Sequence, residues 1–491
     1  MVSFETNIFL IPLCPILNNF CKMNNKKSLA IAILTLCNAS LAFAGGILTN
    51  TNQSARFARL MALEATITTD AAYYNPAGTI KLGEGFHFSF SNQSAFQERI
   101  INSTYAPYVY SGGSEFKQFK GTASAPVIPS LQAVYRKGNW ALSGSLAIVG
   151  GGGKATFNDG ISMFEAPIAA IPPAMELKLP LTCNQYSYDT YMTGTNYIFG
   201  GQIGGTYKIN DMFSVHAGFR LNIVHNKYEG YIRDIKINPN SQVPGLGNGQ
   251  MVNASEYFTQ LAGNPMLGVD QQNMLKAYAA STTDKELNSK QSGWGIAPIL
   301  GVHFSYAGLN IGAKYEFKSS LNVENKTQFN KDAGLDAFKD GVNTAHDVPA
   351  YFAIGASYDI IAPLTVSVGY HHSFDKDADM AGGKQKHLTG GTNEYLAGIE
   401  YRVNPMFLVS MGGQITRYGL ADGFQSDLSF SVNSYSLGFG GAVNISKNVQ
   451  INVGYFFTDY SDYKMVDIKG SPSTSYTRKN KVFTAGVDFS F

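Results

Sequence analysis

Val449-Gln-Ile-Asn-Val-Gly-Tyr-Phe-Phe457 decides the fold. Successive side chains of an extended strand point to opposite faces. Val449, Ile451, Val453, Tyr455 and Phe457 therefore share one face, with Gln450, Asn452 and Gly454 on the other. The same period returns at Phe483, Val487, Phe489 and Phe491. Upstream, Phe86, Phe88 and Phe90 alternate with His87, Ser89 and Ser91. Trp140, Leu142, Leu146 and Ile148 alternate with Ala141, Ser143 and Ser145. Phe213, Val215, Phe219, Leu221 and Ile223 alternate with Ser214, His216, Arg220 and Asn222. One face is apolar and aromatic over about ten residues, the length a tilted strand needs to cross a bilayer.

The connections alternate in length. Tight turns fall at Lys137-Gly-Asn139, Asn210-Asp211, Tyr306-Ala-Gly308, Ile360–Pro363, Val403-Asn-Pro405 and Ser446-Lys-Asn448. Long polar loops are expected at 94–127, 150–193, 232–290, 321–347, 376–392, 418–430 and 462–478. Together they join fourteen strands into an antiparallel transmembrane β-barrel spanning 83–491. Short turns on one side and long loops on the other are the outer-membrane pattern. A soluble sandwich does not give strands this long with one uniformly apolar face.

Composition agrees. Of 491 residues 15% are charged, against about 25% in ordinary soluble domains, while there are 32 Phe, 28 Tyr and 51 Gly. No stretch after the leader holds about 18 consecutive apolar residues, so no transmembrane helix is expected. The N-terminus reads as an extension followed by a signal peptide. Lys22, Lys26 and Lys27 form the basic region, Ser28–Leu36 the apolar one, and Ala42-Phe-Ala44 the cleavage site, with the cut after Ala44. Met23 is the better initiator, which makes residues 1–22 an upstream extension. Cleavage removes those three lysines and Glu5, taking the formal charge from +2 to 0. Nothing points to nucleic acid. Cys14, Cys21 and Cys37 leave with the leader, so Cys183 alone remains and no intramolecular disulfide is expected.

Fourteen strands leave a bore that their side chains do not fill. The sequence available to close it is 45–82, read as a plug. In it Ser54 caps a short helix running to Glu64. The turn Asp70-Ala-Ala-Tyr-Tyr-Asn-Pro-Ala-Gly78 leads out to the first strand. Asn75 and Pro76 should lie inside the barrel or at its short-turn rim, away from any ligand head group.

The pattern Arg59…Glu64-Ala65…Asp70-Ala71…Asn75-Pro76-Ala77, ahead of fourteen strands, resembles that of the FadL-type long-chain fatty-acid transporters. The resemblance implies an N-terminal lumenal hatch with Asn75, Pro76 and Ala77 as its motif. It also implies ligand capture at a helical outer loop, here 232–290 with Ser255–Leu261 and Gln271–Tyr278 helical, then a pocket, hatch rearrangement and lateral release at a kinked third strand. The run Gly150, Gly151, Gly152 and Gly153 follows that strand. It suits either such a kink or the flexible start of a loop. The terminal Phe491 after an alternating strand resembles the signal read by the barrel-assembly machinery.

A carboxylate ligand needs a cation in the bore. By the alternation, Arg220, Lys314 and Lys318 face inward, with Glu316 between the two lysines. Either Glu316 pairs with them in a wet channel, or one of them meets a fatty-acid head group. No catalytic set stands out. His371 and His372 are adjacent on a strand and point apart, and Cys183 has no partner at metal-ligand spacing. Gly153-Lys-Ala155 lacks the Ser or Thr of a phosphate loop. The expectation is a monomeric, cofactor-free outer-membrane transporter, surrounded by lipid, for a hydrophobic small molecule. Long-chain fatty acids come first, with aromatic hydrocarbons as the alternative. A general porin or a receptor barrel are the other classes.

Overall fold

The computed structural model describes residues 47–331 and 336–491. The signal segment and the cut after Ala44 lie outside the described residues.

The described chain forms a closed antiparallel barrel of 14 strands. They are β1 Gly85–Thr104, β2 Phe116–Lys137, β3 Trp140–Phe157, β4 Tyr186–Lys208, β5 Phe213–Ile237, β6 Lys285–Tyr306 and β7 Leu309–Glu316, which resumes at Asn322–Asn330. The short piece Asn343–Ala345 leads into β8 Tyr351–Ile361. There follow β9 Leu364–Ser373, β10 Thr392–Arg402, β11 Phe407–Tyr418, β12 Ser434–Asn444, β13 Val449–Tyr460 and β14 Ser473–Ser490. Each strand pairs with its sequence neighbours. The ring closes where β1 meets β14, from His87 opposite Ser490 to Thr104 opposite Ser473.

The alternation sorts side chains as a bilayer demands. Phe86, Phe88, Phe90, Trp140, Leu142, Leu146, Phe213 and Phe219 are exposed on the outside. Their inward neighbours His87, Ser89, Ser91, Ser143, Ser145, Ser214 and His216 are buried. So continuous an apolar exterior would aggregate in water and is stable in lipid. Except at an interruption between β2 and β3, the ladders satisfy the wall's backbone polar groups, as a membrane-spanning wall requires.

The tight turns lie where the sequence put them, and two share a device. The Asn210 side chain accepts from the amides of Met212 and Phe213, and that of Asn404 from Met406 and Phe407, each pair within 2.8–2.9 Å. The long loops are shorter than expected because strands run on beyond the apolar band. β1 continues to Thr104, β2 starts at Phe116 and β3 reaches Phe157. Up there outward positions carry Glu98, Lys120 and Lys154, so both faces are polar and the alternation is invisible in sequence. The 238–284 loop carries helices Ala254–Ala262 and Val269–Ser281. The loop after β3 adds two that sequence reading missed, Ser162–Ala169 and Ile171–Lys178. Their apolar faces, with Phe258, Leu275, Phe338 and Phe430, build a core above the plug.

The seam gives a first prediction. The Phe491 amide donates to the Phe86 carbonyl at 2.8 Å, and the Phe86 amide donates back at 3.2 Å. Deleting Phe491 removes both bonds, each worth about 1 kcal/mol, at the point where the ring closes. The compact, unboiled band on a denaturing gel should fall to a minor fraction, and an undiminished band would refute the seam's importance.

Candidate functional site: the hatch and the wall opening

Residues 47–82 lie inside the ring, and nearly all are buried. The helix is shorter than the sequence suggested, Ala55–Leu60. The Ser54 hydroxyl caps it by accepting from the Phe57 amide at 3.2 Å. Met61, at φ 62°, ends it. The segment then doubles back through Ala71–Tyr74 and the 3₁₀ turn Pro76–Lys81 to reach β1.

Glycines on the wall seat this hatch. A Cβ at Gly412 would overlap the Leu60 carbonyl, one at Gly438 the Ala58 carbonyl, and one at Gly312 the Glu64 carbonyl. Only a bare backbone lets the hatch main chain come this close.

Ion pairs and polar bonds then lock it. Arg59, fully buried, reaches Glu400 Oε2 and Ser410 Oγ at 2.6 Å and Asn452 Oδ1 at 3.0 Å. Arg56 pairs with Asp70 at 3.1 Å. Glu64 Oε1 lies 2.6 Å from His371 Nε2, whose Nδ1 lies 2.9 Å from Glu394 Oε2. With a carboxylate on each nitrogen, the ring donates from both. The sequence quoted Glu64 in its motif and showed only that His371 and His372 point apart, and nothing local joins residues 307 apart.

Asn75, Pro76 and Ala77 sit in the lumen. Asn75 Nδ2 donates to the Thr66 carbonyl at 2.9 Å and lies 3.0 Å from His303 Nδ1. The Pro76 carbonyl accepts from Thr206 Oγ1 at 2.8 Å, and the Ala77 carbonyl from Ser214 Oγ at 2.7 Å. The Pro76 and Ala77 carbonyls of this turn are thus taken up by the wall.

Arg220 and Lys314 come together and Lys318 stays apart. Arg220 grips Glu316 through both terminal nitrogens, at 2.5 and 2.9 Å. Its guanidinium lies 4.9 Å from the centre of the Tyr73 ring. Lys314 Nζ contacts Glu316 Oε1 and the Tyr73 carbonyl, both at 2.7 Å. Both cations thus hold hatch residue Tyr73 and share one carboxylate. Lys318 lies in the break between the two parts of β7, exposed, 3.1 Å from Asp347.

Gly150–Gly153 lie within β3 and break its register against β4 twice, between Ile148 and Gly150 and between Gly150 and Gly153. Gly151 has φ +87°, a left-handed value, and a Cβ there would strike Asn196. On its other side β3 leaves β2 altogether. Paired rungs stop at Ala123–Ala155 and resume only at Leu131–Leu146. Pro126 and Pro129 lie in the unpaired part of β2, and neither has an amide to donate. The hatch strand fills this opening. The Gly151 amide donates to the Leu48 carbonyl at 3.1 Å, and the Asn50 amide to the Val149 carbonyl at 2.8 Å. Gln53 Nε2 donates to the Ile148 carbonyl at 2.9 Å, and the Gln53 carbonyl accepts from Ser130 Oγ at 2.7 Å.

On the loop side, burial pushes the Cys183 thiol up to about 11. Burial also pushes Asp427 up to about 6, against hydrogen bonds from the Met163 amide and the Tyr476 hydroxyl. Among the described residues no group of three or more His, Cys, Asp or Glu is placed to hold a metal, and no helix is long and apolar enough to cross a membrane.

The sequence matches no protein-family model and no curated protein. Solved structures do match. A Pseudomonas aeruginosa FadL homologue superposes with a TM-score of 0.62 at 13% identity, over 91% of this chain and 100% of that one. The P. putida toluene transporter TodX superposes at 0.53 and 13%, over 86% and 94%. At such identities the likeness is one of fold. The chain is an outer-membrane β-barrel whose fold is that of these FadL-type proteins.

Proposed function

We propose that this protein takes up hydrophobic small molecules, long-chain fatty acids first among them, and releases them sideways through the opening between β2 and β3. The observation that carries the reading is that one hatch strand, 48–53, stops that opening through backbone bonds to Val149 and Gly151. Movement of the hatch would then clear the bore and the side exit together. Ligand enters over the apolar core beneath the extracellular helices. As Tyr73 withdraws, Lys314 loses its carbonyl partner and Arg220 its aromatic cover. Both cations are then available to a passing carboxylate, while Lys318 stays at the rim.

The test is uptake by cells that lack their own transporter and express this one. Labelled oleate should accumulate, and the purified protein should be almost silent in a planar bilayer. Toluene entry without oleate entry would favour the hydrocarbon alternative. Large steady conductance with no selective uptake would make the protein a porin.

A further inference from the structure

Above the apolar band the register places lysines side by side on the outside of the barrel. Lys154 on β3 stands opposite Thr195 on β4, and Thr195 opposite Lys227 on β5. Lys227 in turn stands opposite Lys290 on β6, and Lys290 opposite Lys326 on the second part of β7. One continuous rung across five strands therefore carries four lysines. Lys154, Lys290 and Lys326 are exposed and Lys227 is half-exposed. Their chain neighbours Ala155, Asn226, Gln291 and Asn325 are buried on the lumen side, so the lysines face outward.

Directly opposed residues of an antiparallel pair have Cβ atoms roughly 5 Å apart, and like charges there repel. Lys227, Lys290 and Lys326 stand in this relation on three successive strands. Of the four lysines only Lys227 has an ion pair among the described residues, 2.6 Å to Glu229. The other carboxylate on this face is Glu324, one outward position below Lys326. Four cations against two carboxylates leave +4 − 2 = +2. The far side of the wall is not built so. The topmost outward rung of β8–β11 is Phe352, His372, Asn393 and Arg417, with one permanent cation.

The height of the row specifies its surroundings. Two outward positions further down, Phe199, Ile223 and Trp294 are paired in series and exposed, the upper edge of the apolar band. Four residues of strand span about 13 Å, and Trp marks the boundary between hydrocarbon and headgroups. Lysine lays its apolar stem along such a wall and holds its ammonium in the headgroup layer. Several ammonium groups brought together there are stabilised by an anion that accepts from more than one of them. Lys154 also lines a cleft of about 700 Å³ beside the β2–β3 opening, together with Lys479 and Lys481.

We propose that Lys154, Lys227, Lys290 and Lys326 form a docking face for the phosphate groups of a membrane lipid, whose acyl chains lie along Phe199, Ile223 and Trp294. The occupant is a lipid and not a free anion, because the row borders the apolar band and faces away from the lumen. The face is on the outside of the wall, so the assignment stands independently of the uptake reading.

Native mass spectrometry of the purified protein in nonionic detergent tests it, with phosphorylated lipid A or the same lipid stripped of its phosphates as the probe. The native protein should hold the phosphorylated form at least about tenfold more tightly, and excess inorganic phosphate should not displace it. K154Q/K290Q/K326Q should bring the two lipids level, and K154R/K290R/K326R should keep them apart. K331Q/K339Q/K464Q, which neutralises exposed loop lysines, should bind as the native protein does. Native protein that holds both lipids equally would overturn the docking face. So would a triple glutamine variant that discriminates as before, or a loop variant that loses as much. Displacement by inorganic phosphate would make this a site for a free anion and overturn the lipid assignment. If the triple glutamine variant gives no compact gel band, the native protein's preference between the two lipids decides.

Discussion

Replacing His371 with alanine is expected to turn an electrically silent barrel into a conducting one. His371 is the hydrogen-bond partner of the Glu64 carboxylate, whose other oxygen has none among the described residues. Without the ring, Glu64 and Glu394 face each other across the hatch–wall boundary, each 3% exposed or less. Breaking a buried ion pair from one side costs about 3–5 kcal/mol, because the remaining charge keeps its desolvation penalty without its partner. The cheapest relief is for the hatch to withdraw Glu64 from the wall. H371A should show ion conductance in planar bilayers and faster cleavage within 47–82 by added protease. H371A/E64Q, which removes one of the stranded charges, should recover most of the native behaviour. If H371A is as silent and protease-resistant as native, the ion chain does not hold the hatch.

The second large effect is expected at Gly151. A β-branched residue in a left-handed conformation carries roughly 1–2 kcal/mol of strain. The Cβ would also meet the backbone and side chain of Asn196. G151V should therefore flatten the bulge, let β3 lie against β2, and close the opening that the hatch strand fills. The barrel should still form, judged by its compact gel band, while uptake of labelled oleate falls by at least about tenfold. That drop corresponds to a transport barrier roughly 1.4 kcal/mol higher. Unimpaired uptake by a folded G151V barrel would remove the side exit from the mechanism.

The wall was legible because lipid imposes a rule on every residue it touches. Phe86, Phe88 and Phe90 outside and Ser89 and Ser91 inside need no tertiary information. Legibility stopped where that rule stops. Above the bilayer Glu98 and Lys120 face water, so β1 and β2 were read as loop there. Pro126 and Pro129 were a visible sign of a broken ladder, but Pro126 fell inside that supposed loop and Pro129 just past its end. Lys318 follows the break after Glu316, where the period of two no longer assigns a face. The hatch contacts were out of reach for another reason. Inward positions show only that Arg220 and Lys314 are available. Which carboxylate or cation meets each of them is settled by strands brought together from distant parts of the chain.

The seam between β1 and β14 has a consequence for biogenesis. The first and last strands of the wall are partners, so the ring cannot shut until nearly the whole chain has been delivered. The hatch lies just upstream of β1, and its carbonyls rest against glycines of β7, β11 and β12. A finished cylinder offers no easy route for such a segment to enter and find those seats. The wall therefore has to assemble around the hatch, as a mould closes around its core. A substitution that weakens the seats should then be felt during insertion, as lost yield of closed barrel, before it is felt in transport.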